Sequence, residues 1–543
     1  LAFTVLGLSG SRACDPAAAL YVDGQLVAAA EEERFVRERH APGRMPREAA
    51  SFCLASAGIA PDEVDVVAVA LASDGESATD RARVEAFLGD LDFDAARTPI
   101  EPVDYLDSHA ASAYYCSGFA EHTAILCLTG SGSLLGYGES GRIHRLRESA
   151  YPHSLWALYG ALTEYLGFEM GDGEYKLMGM APYGDPRRFD LSRLACFEDG
   201  ELVIDTSYVN VAAGQRYMED GRSYSFSRRL VDWLGPPRRG DAADEPYVHY
   251  AAAMQAFFEA LALQMIDHDL GDMLRETGRI AFAGAGALNV KLNQRIVARG
   301  DVRELFVQPA AGDAGTALGA AAAVSAKRGV VIECMEHVYL GPRHTNEDVI
   351  AACEAYPVLP RWHVLDDVPR RIARLLADGH PVAWFQGRME FGPRALGARS
   401  ILGCPSVAGV ADRINEQIKF RERWRPFGPA MLDRVAPQML AGSHPAPFMT
   451  LTFDVADSWK VRVPEVVHED GTARAQVVRR EQHPRYYALI EELERLTGNG
   501  VVLNTSLNRR GEPIVCSPRD ALDMFFASDL QYLVMEDVLV EKG

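Results

Sequence analysis

No pair among the nine cysteines (Cys14, Cys53, Cys116, Cys127, Cys196, Cys334, Cys353, Cys404 and Cys516) stands at C-x-x-C spacing. That absence excludes a zinc knuckle and a thioredoxin-type dithiol. An odd number of thiols in a chain of 543 residues points to reduced cysteines and a cytoplasmic setting. No charged-then-apolar leader opens the sequence. Apolar stretches such as residues 317–326 fall well short of a membrane span. Basic residues are also scarce: 55 Lys and Arg against 76 Asp and Glu leave a formal charge of −21. A field of that sign repels nucleic acid, so a tRNA-modifying role is the weakest reading. What is plentiful is apolar residues, at 48%, with an ordinary 24% charged. That content suits a globular chain of two to four domains.

Along the chain, residues 3–7 form a short apolar run ending in Gly7-Leu8-Ser9-Gly10. Two further apolar runs, 18–22 and 26–30, flank Asp23-Gly24, a strong hairpin signal. A helix is predicted over 46–57 and a strand over 64–70. The same order then recurs. Residues 123–128 are apolar and end in Thr129-Gly130-Ser131-Gly132, and a hairpin over 134–137 and 143–146 turns at Ser140-Gly141. A strand, a Gly-rich turn and a returning hairpin, twice, is an internal duplication. Backbone N–H groups in such turns can reach phosphate oxygens, and the layout resembles the actin, sugar-kinase and heat-shock ATPases. Residues 248–275 carry apolar residues at helical spacing, including Met254, Phe258, Leu261 and Met265, and predict a core helix. Two strand–glycine–helix junctions follow, residues 283–289 and 308–315. The turn-rich stretch Gly341-Pro342-Arg343-His344-Thr345 marks a boundary between residues 1–342 and 343–543.

Beyond that boundary cations cluster beside Gly and Pro turns. They stand in residues 387–400, in Ile418-Lys419-Phe420-Arg421-Glu422-Arg423-Trp424-Arg425-Pro426-Phe427 and in Gly471-Thr472-Ala473-Arg474. Polar loops follow at residues 503–508 and 511–514. In so acidic a chain these clusters call for an anionic ligand, and phosphates suit guanidinium forks and a Lys point charge.

The runs E-F-G-P-R-A-L-G-x-R-S, K-F-R-E-x-x-R-P-F, L-N-T-S-x-N and G-E-P-I-V resemble the signature of the ATP-dependent O-carbamoyltransferases of nodulation factors and antibiotics. The likeness extends to E-E-E-R-F, H-A-A-S-A-Y-Y, Y-K-L-M-G-M-A-P-Y-G, A-L-N and A-A-G-D-A-G in the first half. It implies an α/β protein whose residues 1–342 form a duplicated actin/sugar-kinase-like ATPase fold and whose residues 343–543 form a YrdC-like α/β domain. In that family the counterparts of Lys419, Arg425, Arg474 and Ser506 hold ATP, and those of Arg394, Arg399 and Asn504 hold carbamoyl phosphate. Lys419, Arg425, Arg394 and Arg399 would act in catalysis. By implication this half cleaves carbamoyl phosphate to carbamate and adenylates it, with Mg²⁺. The first half then passes the carbamoyl group to a small-molecule acceptor in antibiotic-type biosynthesis, with Lys176, Gly284, Asn289 and Asp313 at its nucleotide site.

The resemblance also implies an iron-type divalent metal. Of its expected ligands His109 and Asp313 are present, but Tyr105 and Thr129 replace a histidine and an aspartate. The expected early histidine is Cys14, followed by Asp15, and the second Gly of the G-G-x-A-L-N turn is Ala285. Two ligands are too few for a firm first-row site, although Tyr105, Cys14, Asp15 and Asp107 remain as substitutes. An amine could attack the adenylate without base or metal, so a nitrogen acceptor is one expectation. Two rivals stay open: an adenylate-forming ligase with another acyl group, and a non-catalytic nucleotide-binding partner. A homodimer is the simplest assembly on symmetry grounds.

Overall fold

The computed structural model describes every residue except 1, 10–14, 72–77, 95–96, 120–121, 241–242, 359, 443 and 543. Cys14 therefore lies outside the described residues. The chain divides into two compact units, residues 1–108 with 313–543, and residues 109–312.

In the first unit, strands β1 (Thr4–Leu8), β2 (Ala17–Val22), β3 (Gln25–Glu31), β4 (Val66–Leu71) and β5 (Ile100–Asp104) form a sheet of order β3-β2-β1-β4-β5. β1 runs antiparallel to β2 and parallel to β4. The turn between β2 and β3 is Asp23-Gly24, with positive φ at both residues. That geometry matches the twist of the flanking strands. The small-residue run predicted within 317–326 lies in helix α1 (Ala314–Lys327), which packs on β1, β2 and β4. A Cβ at Gly7 would stand 2.0 Å from the Ala317 carbonyl oxygen, so helix and strand approach backbone to backbone.

The second unit repeats the plan. Strands β6 (Thr123–Leu128), β7 (Gly132–Glu139), β8 (Arg142–Ala150), β9 (Arg279–Ala283) and β10 (Glu304–Val307) order as β10-β9-β6-β7-β8. β6 is antiparallel to β7 and parallel to β9, so connectivity and direction reproduce those of the first sheet. The hairpin again turns on two positive-φ residues, Ser140 and Gly141. This is the duplication expected of an actin- and sugar-kinase-like fold. The predicted core helix is α2 (Tyr247–Thr277), with Met254, Phe258, Leu261 and Met265 buried.

After β9 the backbone bends at Gly284, whose φ is +83° and whose added Cβ would meet the Leu128 carbonyl oxygen at 2.3 Å. Both strain and collision forbid a side chain there. Gly284→Ala is expected to destabilise the protein by more than about 1 kcal/mol. A urea midpoint no lower than that of the parent protein would contradict this.

Residues 361–541 supply the third sheet: β11 (Arg361–Val364), β12 (Val382–Phe385), β13 (Arg399–Gly403), β14 (Gly428–Leu432), β15 (Gln476–Val478), β16 (Val501–Ser506), β17 (Tyr532–Met535) and β18 (Val538–Glu541). Its order is β11-β18-β17-β12-β13-β16-β14-β15. The boundary expected after residue 342 thus falls between two sheets of one contact unit. Among the described residues no helix is long and apolar enough to cross a membrane.

Candidate active site

Register brings the cationic motifs of the C-terminal half together. Phe385, the last residue of β12, pairs with Arg399, the first of β13. Ser400 pairs with Ser506, the last residue of the antiparallel β16, and Asn504 pairs with Gly428, the first residue of β14. Gln476 opens β15 opposite Ala430. The loop 386–398, the segment 414–427, Arg474 and the loop after Ser506 therefore all emerge at one end of the sheet.

Lys419 closes a π-helical turn, Ile414–Lys419, a form frequent at functional sites. The next residue, Phe420, is left-handed at φ 48°, and Lys419 itself is buried. Its ammonium donates to the carbonyls of Ser506 and Asn508, at 2.8 Å each, and to Asn508 Oδ1 at 2.6 Å. Burial pushes its pKa well below the ordinary Lys value, and Arg421, Arg425 and Arg39 push the same way. Arg474, at the end of a short strand, is lowered to about 10 by burial and then by Arg425. Burial holds Arg394 well below the usual Arg range, with Arg474 adding to the effect. Arg474 thus disfavours the charge of Arg394, and Arg425 disfavours those of Arg474 and Lys419. Arg425 has Glu422 at 3.7 Å. Arg474 Nε is buried without a hydrogen-bond partner among the described residues, and so is Asn504 Oδ1. Asn504 is fixed by donating from Nδ2 to the Ala395 carbonyl at 3.0 Å. A set of crowded cations with orphaned polar atoms has the chemistry of an anion site.

Arg399 behaves differently. It is fully buried, and its guanidinium donates to the backbone carbonyls of Gln386, Gly387, Ala398 and Pro342 at 3.1–3.2 Å. It also lies 3.5 Å from the Phe385 ring centroid. Burial lowers its pKa to about 10, against the pull of Glu390. Ser506 donates from its hydroxyl to Asn508 Oδ1 at 2.6 Å and stands beside Lys419.

The N-terminal candidates are placed as follows. Asp313 belongs to the first unit, where its carboxylate accepts a 2.6 Å hydrogen bond from the Tyr105 hydroxyl. Lys176, Gly284, Asn289 and His109 belong to the second unit. Asn289 caps its helix through Leu292 N and exchanges hydrogen bonds with Gln255, both at 3.0–3.1 Å. The Lys176 ammonium sits 5.6 Å from the Phe168 ring centroid. Thr129 Oγ1 donates to the Gly132 carbonyl at 3.0 Å and accepts from Gly132 N. Tyr105 and Thr129, at two of the implied ligand positions, are therefore engaged in hydrogen bonds of their own. The phenol on Asp313 competes with a cation for that carboxylate. The residues present do not fit an iron-type metal.

His109 is fully buried, and burial lowers its pKa to about 3. It is therefore neutral in the folded protein and titrates near 6.5 once unfolded. A depressed histidine contributes stability above the unfolded value and loses it as pH falls toward about 3. Acidifying from pH 6.5 to 5 is expected to cost roughly 1.5–2 kcal/mol through this group alone. His109→Gln should flatten that part of a stability–pH curve, and an unchanged slope would count against the neutral ring.

Sequence reading passed over the segment after β3. Glu33 accepts from His40 N at 2.6 Å, and His40 Nδ1 lies 2.7 Å from Asp15 Oδ1. Asp15, Glu33 and His40 bring their ligand atoms within 4.8 Å of one another. The Arg34 guanidinium on Glu33, at 2.5 Å, opposes a second cation there. The signal for this segment was the E-E-E-R-F motif itself, which was noticed without a role.

Residues 373–542 match the family model described as the carbamoyltransferase C-terminus, and residues 82–322 match that of the carbamoyltransferase N-terminus. The chain belongs to the carbamoyltransferase family. This carbamoyltransferase, a transferase enzyme by that membership, is 34% identical to an uncharacterized protein of Synechocystis sp. over 99% of its own length and 96% of that protein's. It is also 34% identical to nodulation protein NolNO of Sinorhizobium fredii, over 97% of its own length and 79% of that protein's. Among solved structures, component A of the Acidaminococcus fermentans (R)-2-hydroxyglutaryl-CoA dehydratase aligns with 60% of this carbamoyltransferase and 99% of its own chain. That alignment has 13% identity and a TM-score of 0.36.

Proposed function

We propose that this carbamoyltransferase makes carbamoyl-adenylate from carbamoyl phosphate and ATP in a YrdC-like domain, residues 343–543. Residues 1–342 then transfer the carbamoyl group to a small-molecule acceptor. In this reading water splits carbamoyl phosphate into carbamate and phosphate. A carbamate oxygen attacks the α-phosphorus of ATP and pyrophosphate leaves. The acceptor nucleophile then attacks the carbamoyl carbon, releasing AMP and one proton. Carbamate is a poor electrophile, and adenylation supplies the leaving group it lacks.

The observation that carries the reading is the gathering of Arg394, Arg474, Arg425 and Lys419 at one sheet end, where neighbouring cations depress Arg394, Arg474 and Lys419. Fixed cations of this kind stabilise charge that develops on a transferring phosphoryl group. Lys419, Arg425, Arg474 and Ser506 would hold ATP with Mg²⁺, and Arg394 and Asn504 would hold carbamoyl phosphate. Arg399, spent on backbone carbonyls, would act on carbamoyl phosphate through the loop it pins. Lys176, Gly284 and Asn289, all in the second unit, would serve a second nucleotide contact.

The Tyr105–Asp313 hydrogen bond favours a transfer step that needs no iron-type metal, and with it a nitrogen acceptor in a cytoplasmic tailoring pathway. The test is incubation with ATP, Mg²⁺ and carbamoyl phosphate, reading pyrophosphate and AMP-linked products. Release that depends on carbamoyl phosphate supports the reading. Exchange without carbamoyl phosphate points to a ligase of another acyl group, and binding without release points to a non-catalytic partner. Efficient transfer to alcohols with none to amines would overturn the nitrogen acceptor.

A further inference from the structure

The loop that carries Arg394 is gripped from the other end of the sequence. Glu31, the last residue of β3, accepts from Gly392 N at 2.7 Å, and Arg34 donates to the Gly392 carbonyl at 3.0 Å. Both polar groups flanking one α-carbon are thus taken by one acid–base pair, itself closed by an Arg34–Glu31 contact of 3.3 Å. Both side chains are buried. Burial works against the Arg34 charge, but Glu31 and Glu33 more than offset it and hold the guanidinium protonated.

Three residues on, Arg37 donates to the carbonyls of Ile514 and Pro513, at 2.6 and 2.9 Å, and stands 3.6 Å from Asp520. Between the two grips Phe35 packs against Met389, Ile514 and Cys516. One short segment, residues 31–37, therefore bonds to the loop that leads to Arg394 and to the loop that follows Ser506 and Asn508. No other described contact holds the Gly392 amide. Glu390 Oε1 secures the later amides of Leu396, Ala398 and Arg399 at 2.7–3.1 Å.

We infer that Glu31 and Arg34 are positioning residues of the activation site: their clamp on Gly392 sets Arg394, and with Arg37 it fixes the spacing of the two anion-binding loops. The inference rests on the proposed role of Arg394 toward carbamoyl phosphate. A buried ion pair is a poor source of net stability beside an apolar replacement. Its retention where it grips a functional loop fits positioning, and a displacement of about 1 Å at a reacting group can cost on the order of a hundredfold in rate.

The test combines amide hydrogen exchange with kinetics on Arg34→Ala, Arg34→Lys and Glu31→Gln in the full chain. Exchange at residues 390–396 is expected to quicken by about tenfold or more in Arg34→Ala, with the rest of the chain little changed. KM for carbamoyl phosphate is expected to rise by about tenfold, more than kcat falls, and Arg34→Lys should recover part of it. Should Arg34→Ala fail to fold, Glu31→Gln, which keeps the shape of the side chain, carries the same two readouts. Exchange equal to the parent protein's in both variants, or raised evenly throughout, overturns the clamp. If the parent protein releases no pyrophosphate with carbamoyl phosphate, the proposed activity has failed. The clamp is then judged on exchange and on pyrophosphate affinity, and an unchanged affinity in Arg34→Ala overturns it.

Discussion

Replacing Lys419 by alanine is expected to lower carbamoyl-phosphate-dependent pyrophosphate release by a factor of about 10³. The argument starts from where the ammonium sits. It is buried, its hydrogen bonds go to neutral acceptors on Ser506 and Asn508, and its nearest charges are mostly cations. Burial without a full counter-charge makes the protonated form unfavourable. A bound polyphosphate supplies the missing charge. Removing the side chain deletes that charge and takes the ammonium donor from the carbonyls of Ser506 and Asn508 and from the Asn508 amide oxygen. Lys419→Arg should recover little, because a planar fork does not match acceptors gathered around one point. The measurement is pyrophosphate release at saturating ATP. A fall of less than tenfold in Lys419→Ala would remove Lys419 from the chemistry.

Much of this arrangement was legible in the residues, and what was not has a physical reason. Strand β6 was found at its full extent, 123–128, because Thr123 and five apolar residues are bounded by a histidine and a Gly-rich turn. The hairpin after it runs well past the predicted 134–137 and 143–146, to Gly132–Glu139 and Arg142–Ala150. Its outer strand leaves Arg142, His144, Arg145 and Glu148 exposed, so no apolar alternation marks its ends. The duplication could be suspected from the order of turns, but the matching order and direction of the two sheets are facts of long-range pairing. The same holds for the site. Motif composition pointed to Arg394, Arg474, Arg425 and Lys419 as candidate anion binders. It could not reveal that Arg399 spends its guanidinium on backbone carbonyls, since that depends on how the loop 386–398 folds around it. Nor could spacing disclose the Glu31–Gly392 bond, which joins positions 361 residues apart in sequence. The Tyr105 substitution was visible as a lost ligand. Its hydrogen bond to Asp313 turns that loss into an alternative use of the carboxylate.

Arg474→Met should move stability and activity in opposite directions. Arg474 lies in the middle of the cation run: burial and Arg425 lower its pKa to about 10, and it in turn disfavours Arg394. Its Nε is buried without a hydrogen-bond partner among the described residues. A methionine of similar length keeps the packing while removing both the repulsion and the orphaned donor. The unliganded variant is therefore expected to gain about 1 kcal/mol, read as a higher urea midpoint with an unchanged slope. Carbamoyl-phosphate-dependent pyrophosphate release should fall on the order of a hundredfold, mainly through KM for ATP. ATP should also protect the variant less against unfolding than it protects the parent protein. Loss of stability together with loss of activity would mean that Arg474 is a packing residue whose charge is answered within the fold. A gain of stability with full activity would mean that the phosphates are held elsewhere along the run. Only the opposed signs are what a cation crowded for the sake of an anionic ligand produces, because the energy that disfavours the crowded cations is what the ligand recovers on binding.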